Sequence, residues 1–104
     1  MEYKTSIREV AEVLAGLKGR RECCDFLEAI LTPDEKAIIG LRWRLVCLLA
    51  QGLRQRDIVK RLGVSLCKIT RGSRELKRRP AFRKIATDFI SKRKNRKGRG
   101  HHEA

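Results

Sequence analysis

Residues 55–71, Gln55-Arg56-Asp57-Ile58-Val59-Lys60-Arg61-Leu62-Gly63-Val64-Ser65-Leu66-Cys67-Lys68-Ile69-Thr70-Arg71, decide the fold. Two short helical patterns meet at Gly63. Helices that cross steeply around a turn of about three residues need a turn residue that tolerates a left-handed backbone, and glycine does. They also need apolar side chains facing the angle between them, and Ile58, Leu62, Val64 and Ile69 have that spacing. The pattern predicts one helix over 55–62 and a second running from a Ser65 cap to about Lys77. Val59 stands where a small residue would let the two helices approach more closely, so a looser crossing is expected. This is the pattern of a helix-turn-helix. Structural helical hairpins share the spacing, and charge separates the two cases.

The chain of 104 residues carries a formal net charge of +14, unevenly placed. Residues 1–51 hold eight basic and eight acidic side chains, whereas residues 52–90 hold twelve basic and three acidic. Residues 91–104 add six basic and one acidic. A neutral part followed by a strongly basic part points to a scaffold joined to a polyanion-binding segment, because Lys and Arg neutralise phosphates and release counterions. In a helix-turn-helix the second helix enters the major groove with its N-terminal residues at the base edges. Leu66, Cys67, Lys68 and Thr70 occupy that end. Arg56 opens the first helix and can reach guanine O6 and N7 with its two-pronged guanidinium. Lys60, Arg61, Arg74, Lys77, Arg78 and Arg79 are expected at phosphates, which position a protein without reading sequence.

Outward from this motif the chain reads as helix throughout. Ile7, Val10, Ala11, Leu14 and Leu17 form an apolar stripe that Gly19 is expected to end, and residues 21–31 form a second amphipathic helix. Thr32-Pro33-Asp34-Glu35 is a start signal, with Thr32 as N-cap, Pro33 in the first turn and Glu35 completing a capping box. The helix that follows runs to about Gln51 and is apolar on nearly every face, through Ile38, Ile39, Leu41, Trp43, Leu45, Val46, Leu48 and Leu49. Such a helix must be buried all round. The economical cover is a second copy of the chain, so an intimate homodimer is expected, ahead of a helix wrapped only by its own neighbours. Pro80 breaks the chain before a last amphipathic helix over 80–92. The domain expectation is therefore one helical domain over 1–90. Within it, 1–51 and 80–90 form the dimerisation core and 55–77 the reading head. Residues 91–104 are expected to be a disordered basic tail that adds salt-sensitive affinity.

Other function classes fit poorly. Both histidines, His101 and His102, sit in the tail, no glycine-rich phosphate loop occurs, and no nucleophile has an evident partner, so no enzyme is expected. Cys23, Cys24, Cys47 and Cys67 form no C-x-x-C and have no nearby His, so no metal is expected. Cys23 and Cys24 read as small core residues on an apolar helix face. No signal-peptide pattern or membrane span is read, so a bacterial cytoplasmic, nucleoid-associated location is expected.

From about Leu27 to Ile90 the residues resemble the Trp repressor family. The matching pieces are LTPDE at 31–35, Gly40 and Arg42 through Arg44, Gln55-Arg56, and ITRGS at 69–73 followed by Leu76-Lys77. The resemblance implies an all-α, six-helix, intertwined homodimer that represses transcription at a palindromic double-stranded operator, and it adds Gln55 to the DNA-facing residues. It implies L-tryptophan as corepressor. Arg42 and Arg71 would sandwich the indole, as guanidinium planes stack on aromatic faces. Arg71 and the Thr32 hydroxyl would hold the carboxylate, the carbonyls of Ala29 and Leu31 would accept from the ammonium, and Gly72 would let the ring approach the helix. Where the family usually has Asn and Ser, this chain has Arg74 and Glu75, and Glu75 would lie near the ammonium. Each residue also has a structural reading: Thr32 as a cap, Arg42 as a surface charge, Gly72 as a packing contact, and Arg71 with Glu75 as an i, i+4 pair. That last pairing would give a ligand-independent DNA-binding module. A further alternative is an RNA-associated helical interaction protein.

Overall fold

Local signals place the helix ends. In the computed structural model, which describes the backbone of residues 3–103 and the side chains of residues 3–95, the chain forms six helices and no strand among the described residues. They are α1 (Tyr3–Gly16), α2 (Gly19–Ile30), α3 (Pro33–Ala50), α4 (Gln55–Leu62), α5 (Leu66–Arg78) and α6 (Pro80–Glu103). Before α3 the Thr32 N–H donates to Glu35 Oε1 at 2.8 Å and the Glu35 N–H donates to Thr32 Oγ1 at 3.2 Å, the reciprocal box that the sequence predicts. Ser65 caps α5 by accepting from the Lys68 N–H at 3.4 Å. Gly63 lies between α4 and α5 at φ +66°, the left-handed conformation the turn requires.

The chain divides into two compact units, Met1–Ala37 and Ile38–Ala104, where the sequence predicts one domain over 1–90. The first unit holds α1, α2 and the start of α3. Neither α1 nor α2 buries a residue within the chain. Their apolar stripes are present but uncovered: Ile7 is 63% exposed and Ile30 51%. The expectation that Cys23 and Cys24 are both core residues is corrected here, since Cys23 is half-buried and Cys24 exposed. Consecutive residues on a helix point about 100° apart, so one face cannot take both. The α1 boundary also moves. The helix ends at Gly16, and Gly19 opens α2 instead of closing α1.

The second unit contains the core. Leu45, Val46 and Leu48 of α3 pack with Ile58 of α4, Val64 of the turn, Ile69 and Leu76 of α5, and Ala86 of α6. Ile58 and Ile69 are fully enclosed, which fixes the angle of the helix-turn-helix. Trp43 meets Phe89 edge-on at 5.4 Å, and the Arg93 guanidinium lies 5.2 Å over the Phe89 ring. Burial pushes the Cys47 thiol up, and the nearby Arg44 and Arg93 charges pull it down by less. The backbone of α6 stays helical to Glu103, where the sequence predicts disorder from residue 91. After Pro80 no proline interrupts a run rich in Lys and Arg, which are good helix formers. The side chains of residues 96–104, which include part of the expected tail, lie outside the described ones. No described helix is long and apolar enough to cross a membrane.

Candidate nucleic-acid interface

The turn at Gly63 and the buried Ile58–Ile69 pair leave one edge of each helix in solvent. Gln55 and Arg56, the first residues of α4, are both exposed. Arg54, just before them, is held by Asp57, its Nε 3.2 Å from Oδ2. Arg56 makes no ion pair among the described residues, so it is the guanidinium at this helix start that is available to a ligand. Lys60 and Arg61 are exposed in the last turn of α4.

At the start of α5, Leu66, Cys67, Lys68 and Thr70 are all exposed, Leu66 by 57% despite being apolar. The Thr70 hydroxyl donates to the Leu66 carbonyl at 3.0 Å. Its proton is therefore used inside the helix, and what it can offer a partner is an acceptor oxygen and a methyl group. Leu66, Cys67, Thr70, Arg71, Arg74, Glu75 and Arg78 line one open depression along the outer side of α5. The structure thus brings Leu66, Cys67 and Thr70 into the same depression as Arg71 and Glu75, while Lys68, exposed beside them in sequence, does not line it. Lys77 is exposed near the end of α5.

The expected ligand residues are distributed between the two units. In the first, Ala29 lies in the last turn of α2 and Leu31 follows it, donating its N–H to the Leu27 carbonyl at 3.2 Å. Pro33 has no N–H, so the Ala29 carbonyl has no donor at the usual i+4 position. The Thr32 oxygen accepts the Glu35 N–H in the capping box, which leaves the Thr32 hydroxyl proton able to donate. The cap and the ligand role are therefore compatible. In the second unit Arg42 is exposed on α3, and Arg71 and Glu75 sit in the α5 depression.

Two contacts differ from simple spacing arguments. Glu75 does not pair with Arg71. Its Oε2 is 2.9 Å from Arg79 Nε and its Oε1 is 3.9 Å from Arg78 Nη1. Arg79 caps α5 with its N–H donating to the Glu75 carbonyl at 3.0 Å, and this i, i+4 helical spacing puts the Arg79 side chain within range. Gly72 is buried, and a Cβ there would lie 2.6 Å from Leu45 Cδ2 and 3.3 Å from Leu49 Cδ1. Its missing side chain lets α5 close on α3. Ile69, Gly72 and Leu76 form the inner stripe of α5, and that i, i+3, i+7 spacing was the sequence signal for the contact.

Residues 5–88 match the family model described as Trp repressor protein. Among curated proteins the chain is similar to the Trp operon repressor homolog of Actinobacillus succinogenes, 46% identical over 54 residues, or 51% of this chain and 54% of that one. The homolog from Mannheimia succiniciproducens is 48% identical over 54 residues, again 51% and 54%. The one from Vibrio cholerae is 46% identical over 61 residues, covering 58% of this chain and 59% of its relative. The chain thus spans about half the length of the curated relatives it matches. No solved structure matches it. The family match extends over all of α2 to α5, most of α1 and the first part of α6, so the helix-turn-helix and the glycine-closed core lie inside it. With six helices in that order, the chain belongs to the Trp repressor family, which regulates transcription through DNA and is not enzymatic.

Proposed function

We propose that the protein is a sequence-selective repressor that binds a palindromic DNA operator as a homodimer, with L-tryptophan as corepressor. The observation that carries this reading is the start of α5. Leu66, Cys67, Lys68 and Thr70 stand exposed on a helix whose angle is fixed by the fully buried Ile58 and Ile69. Arg56 and Lys60 of α4, and Lys77 near the far end of α5, are exposed cations suited to guanine edges and phosphates.

The dimer is supported by apolar surface that the single chain leaves open. Ile38 and Ile39 of α3 are 52% and 47% exposed, and Ile85 of α6 is 59% exposed; in the other unit α1 and α2 also bury no residue. A second copy would remove this surface from water and set two reading helices about one DNA turn (~34 Å) apart. That spacing is the general geometry of helix-turn-helix dimers, Trp repressor included, and is not a measurement on this chain. The names of the relatives support tryptophan. So do Arg42 and Arg71 as exposed stacking planes, and Thr32 with a free hydroxyl proton. A ligand acts here only by binding the DNA-competent form more tightly than the other.

Operator selection followed by titration with and without L-tryptophan tests the proposal. Tighter operator binding with tryptophan is expected, and equal affinity throughout removes the corepressor role. Arg56→Ala should lose base discrimination, by about 1–3 kcal/mol at the affected position, whereas Lys77→Ala should weaken all duplexes alike.

A further inference from the structure

Glu75 is the one acidic residue of α5, and it lies in the depression on the helix's outer side together with Thr70, Arg71, Arg74 and Arg78. Both its carboxylate oxygens face arginines, Oε2 toward Arg79 Nε at 2.9 Å and Oε1 toward Arg78 Nη1 at 3.9 Å. Asp57 and Asp88, the other acidic side chains between residues 38 and 95, pair with Arg54 and Lys84 and do not line the depression. Arg71 and Arg74 make no ion pair among the described residues. The reading helix therefore has one negative charge on its outer side, and that charge engages two cations otherwise suited to phosphate. These side chains are substantially exposed, Arg78 by 66%, Arg79 by 68% and Glu75 by 32%, so the pairs are weak and exchangeable.

We infer that Glu75 is a charge latch on the DNA face. It holds Arg78 and Arg79 away from phosphates until a small zwitterion in the depression takes over its carboxylate. The ligand class is the one the proposed function carries, a free α-amino acid with its carboxylate on Arg71 and its ammonium on Glu75, and both residues line the depression. An amide lacks the first charge and a decarboxylated amine lacks it too, while an N-acylated amino acid lacks the second. On binding, the ligand ammonium satisfies Glu75 and the two guanidinium groups become available to the duplex. The latch rests on the DNA-binding reading and adds a charge mechanism to it. Part of the corepressor effect is released cation, and it appears as counterion release on any duplex, independent of operator sequence.

The test uses the full chain and a random-sequence duplex, read by fluorescence anisotropy between 50 and 200 mM NaCl. Without tryptophan, Glu75→Gln should bind about 3- to 10-fold tighter at the lower salt, with a log–log salt slope steeper by about 1–2, as expected for one or two added phosphate contacts. Removing a nearby negative charge raises affinity by itself, so the same substitution is repeated in an Arg78→Gln/Arg79→Gln background. There the gain should fall to less than half. An undiminished gain, or equal slopes for wild type and Glu75→Gln, overturns the latch. Saturating L-tryptophan should move the wild-type slope toward that of Glu75→Gln and leave the variant's slope unchanged. Calorimetric binding of tryptophan with no change in the wild-type slope also overturns it. Absence of tryptophan binding, or of any preference among duplexes, counts against the proposed function instead, and the ligand-free slopes still decide the latch.

Discussion

Gly72 shows how much one residue settles. A Cβ at this position would meet Leu45 Cδ2 at 2.6 Å, closer than real carbon contacts come, and Leu49 Cδ1 at 3.3 Å. Both are the flexible ends of leucine side chains, so the helix pair can adjust, at the cost of an overpacked contact. Gly72→Ala should destabilise the fold by about 1–3 kcal/mol, read as a shift in the urea midpoint at constant slope. Adding Leu45→Val, which removes one of the crowding methyl groups, should cost less than the two single changes summed, because the residues share the contact. The spacing of Ile69, Gly72 and Leu76 on one helical face was visible in the sequence. That α3 occupies the space beside Gly72 was not, because nothing local encodes which helix fills a gap.

Among the elements, the two designed-in starts, before α3 and α5, differ in strength. Thr32 and Glu35 exchange two hydrogen bonds at 2.8 and 3.2 Å, whereas Ser65 makes one at 3.4 Å. Thr32→Ala is therefore expected to destabilise by about 1 kcal/mol and Ser65→Ala by less, both measured in thermal melts. The smaller loss matters more for function. Ser65 sets where α5 begins, so its removal should loosen the end that holds Leu66 and Cys67, seen as faster amide hydrogen exchange at Lys68. These capping signals, the turn glycine and the 55–62 helix were all legible, because caps and turns depend on a few neighbouring residues. The end of α6 was not. Its Lys and Arg residues favour helix individually while their like charges argue for disorder, and local rules do not rank the two effects.

At the scale of the molecule, the division of burial is uneven. The second unit closes a core around Leu45, Ile58 and Ile69, while α1 and α2 bury nothing within the chain. A chain of 12.0 kDa with stripes such as Ile7, Leu27 and Ile30 open to water is expected to sediment at twice that mass. Its melting temperature should rise with protein concentration, as mass action requires of a folded dimer. A species at the single-chain mass with a concentration-independent melt would contradict the dimer. Charge is as uneven as burial. The excess of Lys and Arg falls in the second unit, which also holds the helix-turn-helix, and that asymmetry of charge was legible from composition alone.

The sequence by itself determined the helical class, the left-handed turn at Gly63, the capping box at Thr32, the Ser65 cap, the basic half and the residues at the start of α5. Each of these follows from short-range chemistry: backbone preference, side-chain caps and the period of a helix. Only the tertiary structure decided that Glu75 engages Arg78 and Arg79 instead of Arg71, that Gly72 closes α5 on α3, and that α1 and α2 keep their apolar faces uncovered. Those outcomes depend on which side chains and helices come within a few ångströms after folding. Spacing along the chain limits such contacts but does not choose among them.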